Sequence, residues 1–222
     1  MRRIAVLALL IAVVACGARV DPDALWKIVH GACVPHAEAH QAPTPCAAVD
    51  LADHYAVLKD NVGAEQFLLI PTDRISGIES PVLLDANTPN YWGFAWQART
   101  RMTALAPRKL APDEIGLAIN SPSLRTQNQM HIHIDCVKAA VRDELRRVIL
   151  GPYWQPITVD DVPYEVRMFN MSESPFILLQ PEAILELSTF AKWSMASVGD
   201  DVLLATRFEA AENVLDHQCG SK

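Results

Sequence analysis

Three residues carry the chemistry a sequence reader would test first. His131, His133 and Asp135 alternate with Ile132 and Ile134 across Met130–Cys136. In a β-strand that period places the two imidazoles and the carboxylate on one face and the isoleucines on the other. Imidazoles at i and i+2 lie about 7 Å apart along the backbone. Such a pair has three uses. It can be a structural pair on a solvated face. It can supply two ligands to a metal, with Asp135 or His54 as further donors. Or one ring can act as a nucleophile held by its neighbours, forming a covalent intermediate.

The surrounding elements must hold that strand. Gly116–Asn120 is an apolar strand and Ser121–Asn128 a polar loop leading into Met130. Tyr55–Lys59 and Gln66–Ile70 form a hairpin over Asp60-Asn61-Val62-Gly63. Asp21 and Pro22 open a first helix, with Leu25, Ile28 and Val29 inward and Gly31 as its stop. Residues 33–50 read as a Pro-punctuated loop. Asn90–Met102 is a helix whose Trp92 and Trp96 belong in the core. Lys138–Leu150 is an amphipathic helix with Val141, Leu145 and Ile149 inward. In the last third, 151–222, Tyr164–Phe169 and Phe176–Leu179 read as strands. Trp193–Val198 and Val202–Arg207 form a hairpin over Gly199-Asp200-Asp201. Glu-Ser-Pro occurs at 79–81 and again at 173–175, but the neighbouring elements read in a different order, which argues against a repeat. The fold class is α+β, a mostly antiparallel sheet with flanking helices.

Composition narrows the function classes. The chain has 222 residues, half of them hydrophobic and a fifth charged, so it packs a core. A net charge of −7 argues against nucleic acid as a partner. Met1-Arg2-Arg3 followed by the apolar run Ile4–Ala15 reads as an export signal or anchor, too short to be a typical span. Val13-Val14-Ala15-Cys16-Gly17 resembles a lipoprotein box with Cys16 as the acylated residue. Residues 1–20 are therefore the targeting segment and 21–222 a single domain outside the cytoplasm. With Cys16 assigned to the signal, Cys33, Cys46, Cys136 and Cys219 remain. An even count in an exported chain implies disulfides. Three pairings are possible, and one of them joins Cys33 to Cys46 and Cys136 to Cys219. Zinc is disfavoured, because there is no Cys-x-x-Cys.

The segment Asn120 to Asp135 resembles the active-site strand of the histidine-triad (HIT) superfamily, in the spacing from Asn120 to Gln127 and from Gln127 to His131. Gln66–Ile78 is similar to the superfamily's strand and turn before its long helix. Five further features resemble the bacterial CDP-diacylglycerol pyrophosphatases: the cysteines flanking a Pro-rich N-terminal loop, Gly93–Arg99, Arg125-Thr126-Gln127-Asn128, the Cys just after His-Ile-His-Ile, and Asp216-His217-Gln218-Cys219. The resemblance covers nearly the whole mature chain.

It implies a HIT-like fold and hydrolysis of CDP-diacylglycerol to CMP and phosphatidate at a membrane surface. Anchoring would be at the extracytoplasmic face of the inner membrane. A histidine attacks the CMP-side phosphorus, with no metal or other cofactor. The third superfamily position is Asp135 rather than His, so two registers are open. The Asn120 and Gln127 spacings make His133 the nucleophile and His131 its support. A register over Gln129, His131 and His133 makes His131 the nucleophile. Either ring needs an acceptor on its other nitrogen to fix the tautomer, usually a backbone carbonyl. Asn120, Gln127 and Asp135 are the expected phosphate-binding residues. Arg125 and Lys59 read as surface cations that could add charge, and Phe67, Leu69 and Ile75 as an apolar base pocket.

Overall fold

The computed structural model describes residues 21–179 and 192–220. The expected signal and Cys16 fall outside them. No helix among the described residues is long and apolar enough to cross a membrane.

One antiparallel sheet organises these residues. Its strands are β1 (Ala48–Asp50), β2 (Tyr55–Lys59), β3 (Phe67–Pro71), β4 (Ile115–Ile119), β5 (Ile132–Cys136), β6 (Gln155–Val159), β7 (Val162–Met168), β8 (Ser194–Val198) and β9 (Val202–Thr206). They lie in the order β1-β2-β3-β5-β4-β8-β9-β7-β6. The α+β expectation holds, as do both hairpin turns. Gly63 and Gly199 supply the positive φ those turns require.

The central strands have no solvated face. All five residues of β3, β4, β5 and β8 are buried. On one face, Phe67, Leu69, Leu117, Ile132 and Ile134 pack under Trp92, Trp96 and Met102 of helix α3 (Tyr91–Leu105). Asn90 caps that helix by accepting from Gly93 N. The other face has two covers. Val29 and Cys33 of the N-terminal helix lie on Ala56, Leu58, Leu68 and Ile70. Val141 and Leu145 of α4 (Ala139–Leu145) lie on Ile157, Tyr164, Val166 and Leu204.

Local expectations fail where tertiary contacts override them. The N-terminal helix starts at Ala24, not at Asp21, and Asp21 instead accepts from Asp23 N and Lys27 Nζ. It does not stop at Gly31. It runs as α1 (Ala24–Ile28), a π turn (Val29–Cys33) and α2 (Val34–Glu38), because burying Val29 and Cys33 outweighs the cost of about 1 kcal/mol for a helical glycine. Helix α4 ends at Leu145, and Ile149 is 93% exposed rather than inward. Phe176–Leu179 is not a strand but part of a 3-10 turn, Pro175–Leu179, and the edge strand β6 contains Pro156, which an edge tolerates.

Those last two differences restore a symmetry. The run β2, β3, Glu79-Ser80-Pro81 into a 3-10 turn, β4, β5 has the same order as β6, β7, Glu173-Ser174-Pro175 into a 3-10 turn, β8, β9. The sheet reads β2-β3-β5-β4 and then its mirror order β8-β9-β7-β6, joined through β4 and β8. The expectation of no repeat is therefore corrected: the described strands form two halves of like topology. Of the described strands, only β5 carries a histidine. Where β5 presents His133 and Asp135, β9 presents Val202 and Leu204 to a hydrophobic cluster.

Candidate active site

The two covers leave a gap over β5. Into it point His131 and His133, because Ile132 and Ile134 claim the α3 side. The gap is a cleft of about 470 Å³, walled by Leu25, Ile28, Lys59, Asp60, Gln66, Glu212 and His217, and lined by His131 and His133. The second half of the sheet contributes Glu212 and His217. They lie in and after the 3-10 turn Ala211–Val214, which crosses to pack on β4.

His131 Nδ1 donates to the Gln129 carbonyl at 2.8 Å. That bond fixes the tautomer and leaves the Nε2 lone pair unprotonated. Burial lowers the pKa of His131 to about 4, with neighbouring His133 as the second cause. The rings are 5.0 Å apart between centroids. His133 is arranged differently. Gln66 Nε2 donates to its Nδ1 at 3.2 Å and also to Asp60. The proton of neutral His133 therefore sits on Nε2, which is buried, 3.1 Å from Glu212 Oε2, and makes no aligned hydrogen bond. Burial takes this ring to about 4 as well.

Asp135 is fully buried, and its oxygens accept from Cys136 N (2.8 Å) and His217 Nδ1 (2.9 Å). It orients His217 and does not line the cleft. The Asp135 bond raises the pKa of His217, against the opposing effect of burial. Two disulfides fix the surroundings, Cys33–Cys46 under the N-terminal helix and Cys136–Cys219 behind Asp135 and His217. Asp135, Cys136 and Cys219 group within 4.8 Å, but both sulfurs are spent in the disulfide and cannot serve as thiolate ligands. His54 is engaged at the surface with Asp73.

The other expected site residues are placed as follows. Asn120 is buried, and its Oδ1 accepts from Glu212 N at 3.3 Å, which seats the 3-10 turn. Gln127 lines the cleft while accepting from Leu25 N and donating to the Asp21 carbonyl, so it fastens the start of the N-terminal helix. Arg125 is not a surface cation; it is half-buried in a 2.6 Å pair with Glu79. Lys59 lines the cleft, with Nζ donating to the Asp60 and Gly63 carbonyls. Phe67, Leu69 and Ile75 are not a base pocket, since they lie under α3 on the opposite face. The apolar wall of the cleft is Leu25, Ile28, Leu58 and Leu68.

Sequence reasoning gave no site role to Gln66, Asp60, Glu212 or His217. His217 had a signal: it sits two residues before a cysteine whose partner directly follows Asp135.

A family model described as CDP-diacylglycerol pyrophosphatase matches residues 20–222. A Yersinia pestis protein named CDP-diacylglycerol pyrophosphatase is 39% identical over 218 residues, which cover 90% of this chain and 84% of the relative. The chain belongs to the CDP-diacylglycerol pyrophosphatase family.

Proposed function

We propose that the protein hydrolyses CDP-diacylglycerol to CMP and phosphatidate through a nucleotidyl-histidine intermediate, with His131 as the nucleophile. Family membership makes it a hydrolase of this substrate class. The observation that carries the histidine mechanism is the His131 Nδ1 bond to the Gln129 carbonyl. It satisfies the tautomer requirement for attack by Nε2, and it favours the register over Gln129, His131 and His133. In His133 the Gln66 bond puts the proton on Nε2, so that ring is a donor rather than an attacker.

In the first step His131 Nε2 bonds to the CMP-side phosphorus and the bond to the phosphatidate oxygen breaks. The leaving phosphate is a weak base and needs little protonation. His133 Nε2–H is an orphaned buried donor, available to a phosphoryl oxygen as charge develops there. In the second step water attacks the phosphorus, the P–N bond breaks, CMP leaves and His131 is restored. Glu212 borders the cleft and is placed to accept the proton from that water. Residues 1–20 are proposed to hold the domain at a membrane surface, where this substrate resides.

The test is CMP release from CDP-diacylglycerol in detergent with EDTA present, for wild type, His131→Ala and His133→Ala. His131→Ala is expected to lose at least about 10³-fold in kcat, and wild type to yield an acid-labile phosphoramidate on His131. A fully active His131→Ala, or wild-type activity abolished by EDTA, would overturn the mechanism.

A further inference from the structure

We propose that His217 binds the diphosphate of the substrate, as a cationic donor delivered to the cleft by the C-terminal segment. This deepens the hydrolase reading and rests on it.

The cleft has a charge problem for a diphosphate. The His131 and His133 rings are neutral, and Asp60 and Glu212 are acidic. Among the described residues lining it, Lys59 is the only fixed cation, and two of its three donors are spent on backbone carbonyls. His217 resolves this. Asp135 accepts from Nδ1, leaving Nε2–H as the donor for the cleft its ring lines. Asp135 is fully buried and the His217 side chain about a third exposed, so the carboxylate is hidden while the imidazolium is presented. Glu212 and Asp216 in the tail also favour the protonated ring.

The backbone is built to hold this side chain. His217 has φ +60°, a left-handed conformation uncommon outside glycine that persists where surroundings over-determine it. The surroundings do. Leu215 bridges Val137, Asp216 N donates to the Cys136 carbonyl, and Asp216 Oδ1 accepts from Cys219 N. Cys219 is then bonded to Cys136. From the other side the β2–β3 turn closes in, and a Cβ at Gly63 would lie 3.0 Å from the His217 carbonyl oxygen. A residue needed only to fill space has no use for so many restraints on its direction.

The test uses full-chain protein in detergent: wild type, His217→Gln and Asp135→Asn. KM and kcat for CDP-diacylglycerol are measured from about pH 6 to about pH 9, and binding of inorganic pyrophosphate by calorimetry. His217→Gln is expected to raise KM and weaken pyrophosphate about tenfold, with kcat within about threefold. The wild-type rise of KM with pH disappears in the variant, and Asp135→Asn shifts that rise to lower pH. Unchanged pyrophosphate binding in His217→Gln, or a wild-type KM flat across that range, would overturn the proposal. The calorimetry reads His217 by itself. Absence of CMP release from wild type would count against the hydrolase reading alone.

Discussion

Lowering the pH is the most direct perturbation of the proposed nucleophile, His131. An ordinary imidazole of pKa 6.5 is only about 3% neutral at pH 5. His131, held near 4 by burial and by His133, remains about 90% neutral there. An enzyme using His131 therefore keeps nearly full activity at pH 5, where a solvated histidine would have lost about thirtyfold. The assay is the pH profile of single-turnover phosphatidate release, the product of attack by His131. Acid unfolding is the competing cause of loss, and its size follows from the same shifts. Above about pH 6.5 the His131 and His133 rings are neutral in either state, so nothing changes. Between about 6.5 and 4 the unfolded chain binds protons that the fold refuses, and stability falls. At pH 5 the loss is about 2 kcal/mol per ring, which a domain of ordinary stability survives. His217 acts with the opposite sign: its raised pKa gives stability that is full below about 6.5 and is lost as pH rises through its folded value. Tryptophan fluorescence at each pH separates unfolding from protonation. An acid limb centred near 6.5 in folded protein would refute the assignment of a buried, neutral nucleophile.

Three further outcomes are expected. Replacing Cys136 and Cys219 by Ala, which opens a link across 83 residues, should cost about 4–5 kcal/mol in urea unfolding and raise KM, because it also loosens the segment carrying His217. Gly63→Ala combines a left-handed φ with contact against the His217 backbone, so it should cost about 1–2 kcal/mol by thermal melt and weaken pyrophosphate binding. Gln129→Leu strips the buried donor that binds the Pro71 and Asp73 carbonyls, and should destabilise by about 2–3 kcal/mol while lowering kcat through displacement of the His131 acceptor.

Much of this was legible in the sequence because it depends on short-range pattern. The alternation across Met130–Cys136 fixed which β5 side chains share a face, and turn residues marked both hairpins. The choice between His131 and His133 was not legible. It turns on which nitrogen meets a carbonyl and which meets Gln66, a residue 67 positions away. Spacing pointed to His133 and hydrogen bonding favours His131. Asn120, Gln127 and Asp135 were expected to bind phosphate, and in the structure their polar groups are occupied in seating the 3-10 turn, the N-terminal helix and His217. Residue type reveals that a group can bind phosphate; only packing reveals whether it is already engaged. The last third was read least well, since Pro156 hid an edge strand and the 3-10 turn at Pro175–Leu179 resembled an apolar strand.

The seam between β4 and β8 has a consequence for how the site is assembled. His131 and His133 come from one half of the sheet, and Glu212 and His217 from the trailing segment of the other. Were the halves separate chains, a complete site would exist only above the dissociation constant of their association, and dilution would disable it. Because one polypeptide supplies both, the encounter is intramolecular, at a fixed effective concentration set by the intervening chain. The second half, with no histidine on its described strands, holds no second copy of the site. Its β9 turns Val202 and Leu204 into a hydrophobic cluster instead, and so braces the half that carries His131 and His133.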